Sequence, residues 1–371
     1  MAPDEQYWRQ VLSGERQGVK YALMRAGLGA LEGLYAAGLS MYLAAERIGV
    51  RSRARVHVPV ISVGNLSVGG VGKTPMTQWL ARRLLVSGYR PAILSRGHGG
   101  SLAPDSAVVS DANGEVFYSA AEAGDEPVLL ARTLPGVPVV VGKDRRVSAH
   151  LALDLFAPNV LLLDDGFQYW QLARDLDLVL LDARRPFDNG HALPRGFLRE
   201  PKANLGRAGM VVLTRADGVD EAHLASLRRE VKELAPSVSV FEARHKSAGI
   251  LPVNRIADGV SPGKALLVCG IGQPASFQAA VESEQVDIAG PMLVFPDHQP
   301  YGSDEAQAIT GRMRETGATC VITTEKDAVK MGESFVDAPL FALRITMRVE
   351  DEEIFWETLR LRAGLTGLTH G

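Results

Sequence analysis

The stretch that most restricts how this chain can fold is ISVGNLSVGGVGKTP, residues 61–75. An apolar run enters a glycine-rich turn that closes on Gly72, Lys73 and Thr74. Pro75 follows in what would be the first helical turn, where its missing N–H costs little. Such a loop works because successive backbone N–H groups converge on phosphate oxygens while the next helix presents its positive end. Gly69, Gly70 and Gly72 permit the dihedrals and the close backbone approach that this requires. The spacing G-x-x-x-x-G-K-[ST] asks for glycine at position 67, and Ser67 stands there. That opening residue only starts the turn. The expected phosphate cradle is therefore Ser67, Val68, Gly69, Gly70, Val71, Gly72, Lys73 and Thr74, with Lys73 reaching the β and γ phosphates and Thr74 a magnesium ion.

A phosphate loop demands a sheet behind it, and the rest of the chain supplies the pattern. Val58–Val63 leads into the loop and Met76–Leu85 leaves it with helical spacing. Pro91–Leu94, Val137–Val141, Val160–Leu163, Leu178–Leu181 and Met210–Thr214 are short apolar runs of the kind that parallel sheets bury on both faces. Strands alternating with helices predict an α/β, doubly wound parallel sheet with its ligand at the strands' carboxyl ends. Residues 159–168, NVLLLDDGFQ, deliver Asp164 and Asp165 from a buried strand, the usual source of an acid beside the magnesium site. At 371 residues the chain is long for one core. Near residue 240 the texture changes to an exposed, alternating strand, so we expect a core of residues 51–240 and a smaller α/β unit over 241–371.

Several classes are excluded or weakened. The net charge of -3 gives no basic field for nucleic acid. Cys269 and Cys320, without a pairing or metal-ligand motif, fit a reducing compartment, and no secretory leader is evident at the N-terminus. The loop lacks the lysine that marks the partitioning ATPases, because Val68 occupies that position. MVVLTRADG places Asp217 like the last residue of N-K-x-D, but Arg215 replaces the lysine that stacks on guanine, so Asp217 reads as a turn residue. The N-terminal run of residues 19–50 is ambiguous. Lys20, Arg25, Glu32, Glu46 and Arg47 share about half of a helical circumference, with Leu28, Tyr35 and Leu39 intruding. A buried helix, a helix lying in a membrane interface near Trp8 and Tyr42, and a true span all stay open.

Polar clusters follow strands where loops would face a nucleotide: Arg96 in LSRGHGG, Asp125 and Glu126 in AGDEP, Lys143, Arg145 and Arg146 in VGKDRR, and Arg195, Arg199 and Glu200 in PRGFLREP. A kinase needs one carboxylate to accept the acceptor hydroxyl's proton and cations to neutralise the transferring group. Residue chemistry does not single out which acid, and a nucleotide-switched membrane ATPase without a phosphoryl acceptor is the alternative.

The ordered set GNLSVGGVGKTP, LSRGHGG, GDEP, VGKDR, LLLDDGFQ, PRGFLREP, FPDHQPY and TTEKDAVKM resembles the tetraacyldisaccharide 4′-kinase family, over most of the chain. The resemblance implies ATP- and Mg²⁺-dependent transfer of the γ-phosphate to the 4′-hydroxyl of a tetraacylated glucosamine disaccharide 1-phosphate, giving lipid IVA. It also implies work at the cytoplasmic face of the inner membrane, with the N-terminal helix lying on the bilayer and residues 1–50 forming a membrane-associating segment. Carried over position by position, Asp125 is the base, supported by His298 of FPDHQPY, with Lys73 and Arg145 beside them. Thr74, Asp164, Asp165 and Glu200 surround the metal, and Arg96, Glu126 and Asn65 meet substrate. Since Asp125 and His298 belong to different units, hinge closure on nucleotide binding is expected. Val71 and Gln299 depart from the family pattern without removing a chemical group.

Overall fold

The computed structural model describes residues 3–48, 52–102, 106–297, 299–332 and 335–365. In chain order the elements are helices α1 (Pro3–Ser13) and α2 (Val19–Arg47), strand β1 (Val60–Asn65), α3 (Lys73–Val86), β2 (Pro91–Ser95), β3 (Ala107–Ser110), α4 (Ala120–Ala123), α5 (Asp125–Thr133), β4 (Val139–Val141), α6 (Arg145–Phe156), β5 (Val160–Asp164), β6 (Leu176–Asp182), β7 (Met210–Thr214), α7 (Glu221–Leu234), β8 (Ser239–Pro252), β9 (Ala265–Cys269), α8 (Pro274–Glu282), β10 (Leu293–Val294), α9 (Ser303–Thr316), β11 (Cys320–Thr324), α10 (Glu325–Met331), β12 (Leu340–Val349) and α11 (Glu352–Arg362). The strands form one sheet in the order β10-β9-β11-β12-β8-β7-β6-β1-β5-β2-β4-β3.

The sheet is mostly parallel, as the unbroken apolar runs require. Every residue of β1, β5 and β7 is buried, which only a sheet covered on both faces allows. Two pairings are antiparallel instead: β3 with β4 at one edge, and β8 with β12 in the middle. The expected doubly wound parallel sheet is present, with these two antiparallel pairings added to it. β3 escaped notice because four residues at an edge carry little periodicity. Strand β8 is the joint. Its first residues, Ser239–Ala243, pair with β7, and Ala243–Pro252 pair with β12. The texture change near residue 240 marks the start of this strand. Beyond it, β9–β11 and α8–α10 form the smaller lobe around Leu267, Phe277, Ile322 and Phe341. Helix α11, from the stretch assigned to that smaller unit, returns to the first lobe. There Phe355 packs edge-on against Trp79 of α3, and Trp356 against Tyr89.

Helix α2 is unlike the others. Its 29 residues extend about 43 Å at 1.5 Å per residue, and by length and composition Val19–Ala45 could cross a membrane. It is no buried core helix, because Leu23, Leu34 and Met41 are 67%, 72% and 72% exposed. The side that carries Arg25, Glu32, Tyr35 and Leu39 is the one docked on the protein. Arg25 donates to the Val11 and Arg16 carbonyls. Glu32 accepts from the Ala192 N–H at 2.6 Å and contacts His191 Nδ1 at 2.9 Å. Tyr35 donates to the Arg199 carbonyl at 2.7 Å, and Leu39 is buried.

Candidate active site

The site begins with how β1 hands over to the loop. Gly64 lies so close to the backbone of the neighbouring DDGFQ turn that a Cβ there would be 2.5 Å from Phe167 Cβ. Asn65 Nδ2 donates to the Ser67 carbonyl at 2.6 Å, folding the turn back on itself. Ser67 forms an antiparallel bridge with Leu198, the Val68 N–H donates to the Phe197 carbonyl, and the Arg199 N–H to the Leu66 carbonyl. A serine at the opening position is therefore an extended residue zipped to the PRGFLREP segment, with no need for glycine. It also means that the Val68 N–H, expected to meet phosphate, is already used.

Behind the bridge the cradle opens. Gly72, at φ +94, caps α3, and a Cβ on it would meet His245 Nε2 of β8 at 2.5 Å. Lys73, Thr74 and Pro75 form the first turn of α3, whose leading N–H groups have no intrahelical partner. Thr214 Oγ1 donates to the Val71 carbonyl at 2.9 Å, and Arg215 Nη2 to the Gly70 carbonyl at 2.9 Å, so β7 props the loop from below. Arg215 is held by Asp182, which also binds Arg184. Asp217 is an exposed residue of the turn that follows, as read from the sequence. His245 is half-buried there with its Nε2 out of contact with solvent, and this burial together with Arg215 pushes its pKa down to about 4.

The acids gather on the other side of the lysine. Asp164 ends β5, is 2% exposed and accepts from Thr77 Oγ1 at 3.0 Å. Burial, then the carboxylates of Glu126 and Asp165, push its pKa up to about 7, against the pull of Lys73 and Thr77. Asp165, at φ +53, turns toward the cations. Burial raises its pKa, but Lys73 at 3.8 Å and Arg199 at 2.8 Å outweigh it and hold the group ionised. Lys73 also donates to Asn65 Oδ1 at 3.4 Å. Asn65, expected to touch substrate, bonds here to the loop and its lysine.

Glu200 carries an ion pair of its own. Fully buried, it receives Arg207 at 2.5 Å and Asn204 Nδ2 at 2.8 Å, and the Arg207 guanidinium stacks on Phe167. The residue expected beside the metal is thus held by a buried ion pair through one oxygen, Oε2. Sequence could not show this, because Arg207 comes from a 3₁₀ turn (Lys202–Arg207) without a motif. Arg195 likewise points elsewhere, to the Leu12 carbonyl of α1.

Asp125 is the first residue of α5 and is buried, with Oδ1 accepting from the Glu126 N–H at 3.0 Å. Lys326 of α10 approaches its Oδ2 to 3.6 Å. Arg145 is buried against Tyr169. Burial lowers its pKa first and Arg96 lowers it further, while Asp165 and Asp164 pull the other way, which places Arg96, Arg145 and the acidic pair around one space. Arg146 is instead tied to Asp144. His298 lies outside the described residues, whereas its neighbour Gln299 donates to Glu305 at the start of α9.

These residues fit a magnesium nucleotide. Crowding ionisable acids around Asp164 leaves a deficit of positive charge, and the loop and the first turn of α3 offer N–H groups to phosphate. Among the described residues no three acid, histidine or cysteine side chains form a protein-only cage. That suits Mg²⁺, which keeps waters and takes oxygens from its substrate. A phosphate loop on a doubly wound sheet, a buried acid ending the adjacent strand and a second acid at a facing helix start define a P-loop phosphotransferase. The chain belongs to the tetraacyldisaccharide-1-P 4′-kinase family, whose model matches residues 24–363. It is 40% identical over 353 residues to the tetraacyldisaccharide 4′-kinase of Geobacter sulfurreducens, covering 93% of this chain and 95% of that one. An Anaeromyxobacter tetraacyldisaccharide 4′-kinase is 42% identical, with 90% of each chain covered. The crystal structure of LpxK from Aquifex aeolicus in complex with ATP superposes with a TM-score of 0.71 at 29% identity, covering 91% of this chain and 99% of that one.

Proposed function

We infer that the protein is an ATP- and Mg²⁺-dependent kinase that phosphorylates the 4′-hydroxyl of tetraacyldisaccharide 1-phosphate, forming lipid IVA in lipid A biosynthesis. The observation that carries this reading is the approach of two helix starts, α3 behind the phosphate loop and α5 with Asp125, around the acids at the end of β5. The bound magnesium nucleotide supplies the phosphoryl group and part of the charge compensation for its transfer. Asp125 accepts the proton of the acceptor hydroxyl, with His298 assigned to support it by the family pattern. Lys73 follows the charge on the transferring phosphate. Thr74 and Asp164 would hold Mg²⁺, while Asp165 keeps Lys73 and Arg199 in place. Arg96 and Arg145 would neutralise phosphate on the acceptor side.

The acceptor's acyl chains lie in a bilayer, so the enzyme has to rest on one. Leu23, Leu34 and Met41 on the outer face of α2 provide an apolar strip for the cytoplasmic leaflet of the inner membrane, with the body of the protein in water. The deciding assay combines purified protein, γ-labelled ATP and the tetraacylated acceptor in mixed micelles. Label should appear in lipid, and ATP loss should depend on the acceptor. ATP hydrolysis at the same rate without acceptor, and no labelled lipid, would overturn the reading.

A further inference from the structure

The motif TTEKDAVKM helps to mark the family, but the reaction as described gives none of its residues a task. It forms the end of β11 and the start of α10, and α10 packs against α5 where the lobes meet. Three of its charged residues stay within the smaller lobe: Glu325 pairs with Arg344 at 2.7 Å and Asp327 with Lys330 at 2.9 Å. Lys326 crosses over. Its Nζ lies 3.6 Å from Asp125 Oδ2 in the first lobe and 3.7 Å from Asp297 Oδ1, in the FPDHQPY loop of its own lobe.

The two arms of this contact differ in kind. The Asp125 side chain is 9% exposed, and a carboxylate removed from water needs a cation or several N–H groups nearby. Asp297 is 42% exposed, and an ion pair so well solvated contributes little to stability. A contact of small energetic worth still fixes a direction, and an ammonium carries three donors that can serve two carboxylates together. Charged groups near Asp125 include Lys326 from α10, Asp297 beyond it and Glu126 on its own helix. Asp164 lies within electrostatic reach of Glu126.

We propose that Lys326 is a positioning residue for phosphoryl transfer. From the smaller lobe it fixes the orientation of the Asp125 carboxylate, and it draws Asp297 to the same side of the site. The proposal rests on the reading of Asp125 as the base. It gives the meeting of the lobes a chemical purpose, because the base is fully oriented only when α10 is against α5.

The test uses the full-length enzyme with ATP and the tetraacylated acceptor in mixed micelles. Lys326→Met should lower kcat by about 10- to 100-fold, the size expected for a misdirected reacting group, and leave KM for ATP within about twofold. Lys326→Arg should recover part of that loss. Asp297→Asn should lower kcat by less, and the double variant should match Lys326→Met alone, since both act through one contact. Wild-type kcat in Lys326→Met, or additive losses in the double variant, would overturn the proposal. Should Lys326→Met fail to fold, Asp297→Asn at an exposed position decides the matter, with an unchanged kcat counting against it. Asp125→Asn is measured alongside. Full activity there sinks the base reading itself, whereas an inactive Asp125→Asn beside a normal Lys326→Met sinks only the role of Lys326.

Discussion

Helices α2 and α3 both carry many apolar residues, leucine among them, yet the protein treats them in opposite ways. Helix α3 lays Met76, Leu80, Ala81 and Leu84 against the sheet, all fully buried, and offers its N-terminus to phosphate. Helix α2 docks through a mixed stripe of Arg25, Glu32, Tyr35 and Leu39 and leaves Leu23, Leu34 and Met41 outside. Apolar content alone does not say which face turns inward. What decides is the partner. The backbone groups of β1, β5 and β2 pair with one another across the sheet, so it takes an apolar face. The loop around residues 191–199 has an N–H and a carbonyl to satisfy, so it takes a polar one.

That contrast can be broken experimentally. The largest effect belongs to the chemistry behind α3. Asp125→Asn should lower kcat by about 10²- to 10⁴-fold and leave vesicle binding intact, as measured by lipid phosphorylation beside co-sedimentation. Next, Leu80→Ala should destabilise the fold by about 2–5 kcal/mol, the usual result of emptying a buried leucine site, measured by urea denaturation. Placing Glu at both Leu34 and Met41 should do the converse. Unfolding should be unchanged within about 0.5 kcal/mol, as for surface sites, while binding to anionic vesicles and turnover on vesicle-borne acceptor fall about tenfold or more, each buried leucine or methionine being worth about 1.5–3 kcal/mol. Unaltered vesicle binding would remove α2 from the membrane.

The smallest effect tests how dry the floor of the phosphate loop is. His245 titrates at about 4 in the fold and near 6.5 when unfolded, so between those values the unfolded chain binds more protons. Wild-type stability should therefore fall, relative to His245→Gln, as pH drops from about 6.5 toward 4, by up to about 1.4 kcal/mol per pH unit. Above that window the difference should be flat. Parallel curves across the whole range would mean that water reaches His245.

Where the sequence was legible, the determinants were local. Strand β1, the glycines of the loop, the start of α3 and Asp164 at the end of β5 all follow from residues within a few positions of one another. Ser67 and Glu200 were harder, because their partners Leu198 and Arg207 carry no periodic or motif signal toward them. The docking face of α2 was misleading for a related reason. Charges that look solvent-bound in isolation meet backbone groups from a loop far along the chain. Lys326 is the extreme case, with its motif visible from the start and its contact with Asp125 visible only in the fold.

Arg199 has two ends, and they face different worlds. Its carbonyl receives Tyr35 of α2, and its guanidinium grips Asp165 beside Lys73. If α2 floats at the level of the lipid headgroups, Lys73 is linked to it through Asp165, Arg199 and Tyr35. The enzyme is then a gauge of fixed height, suited to a sugar hydroxyl that its own acyl anchors hold at one depth.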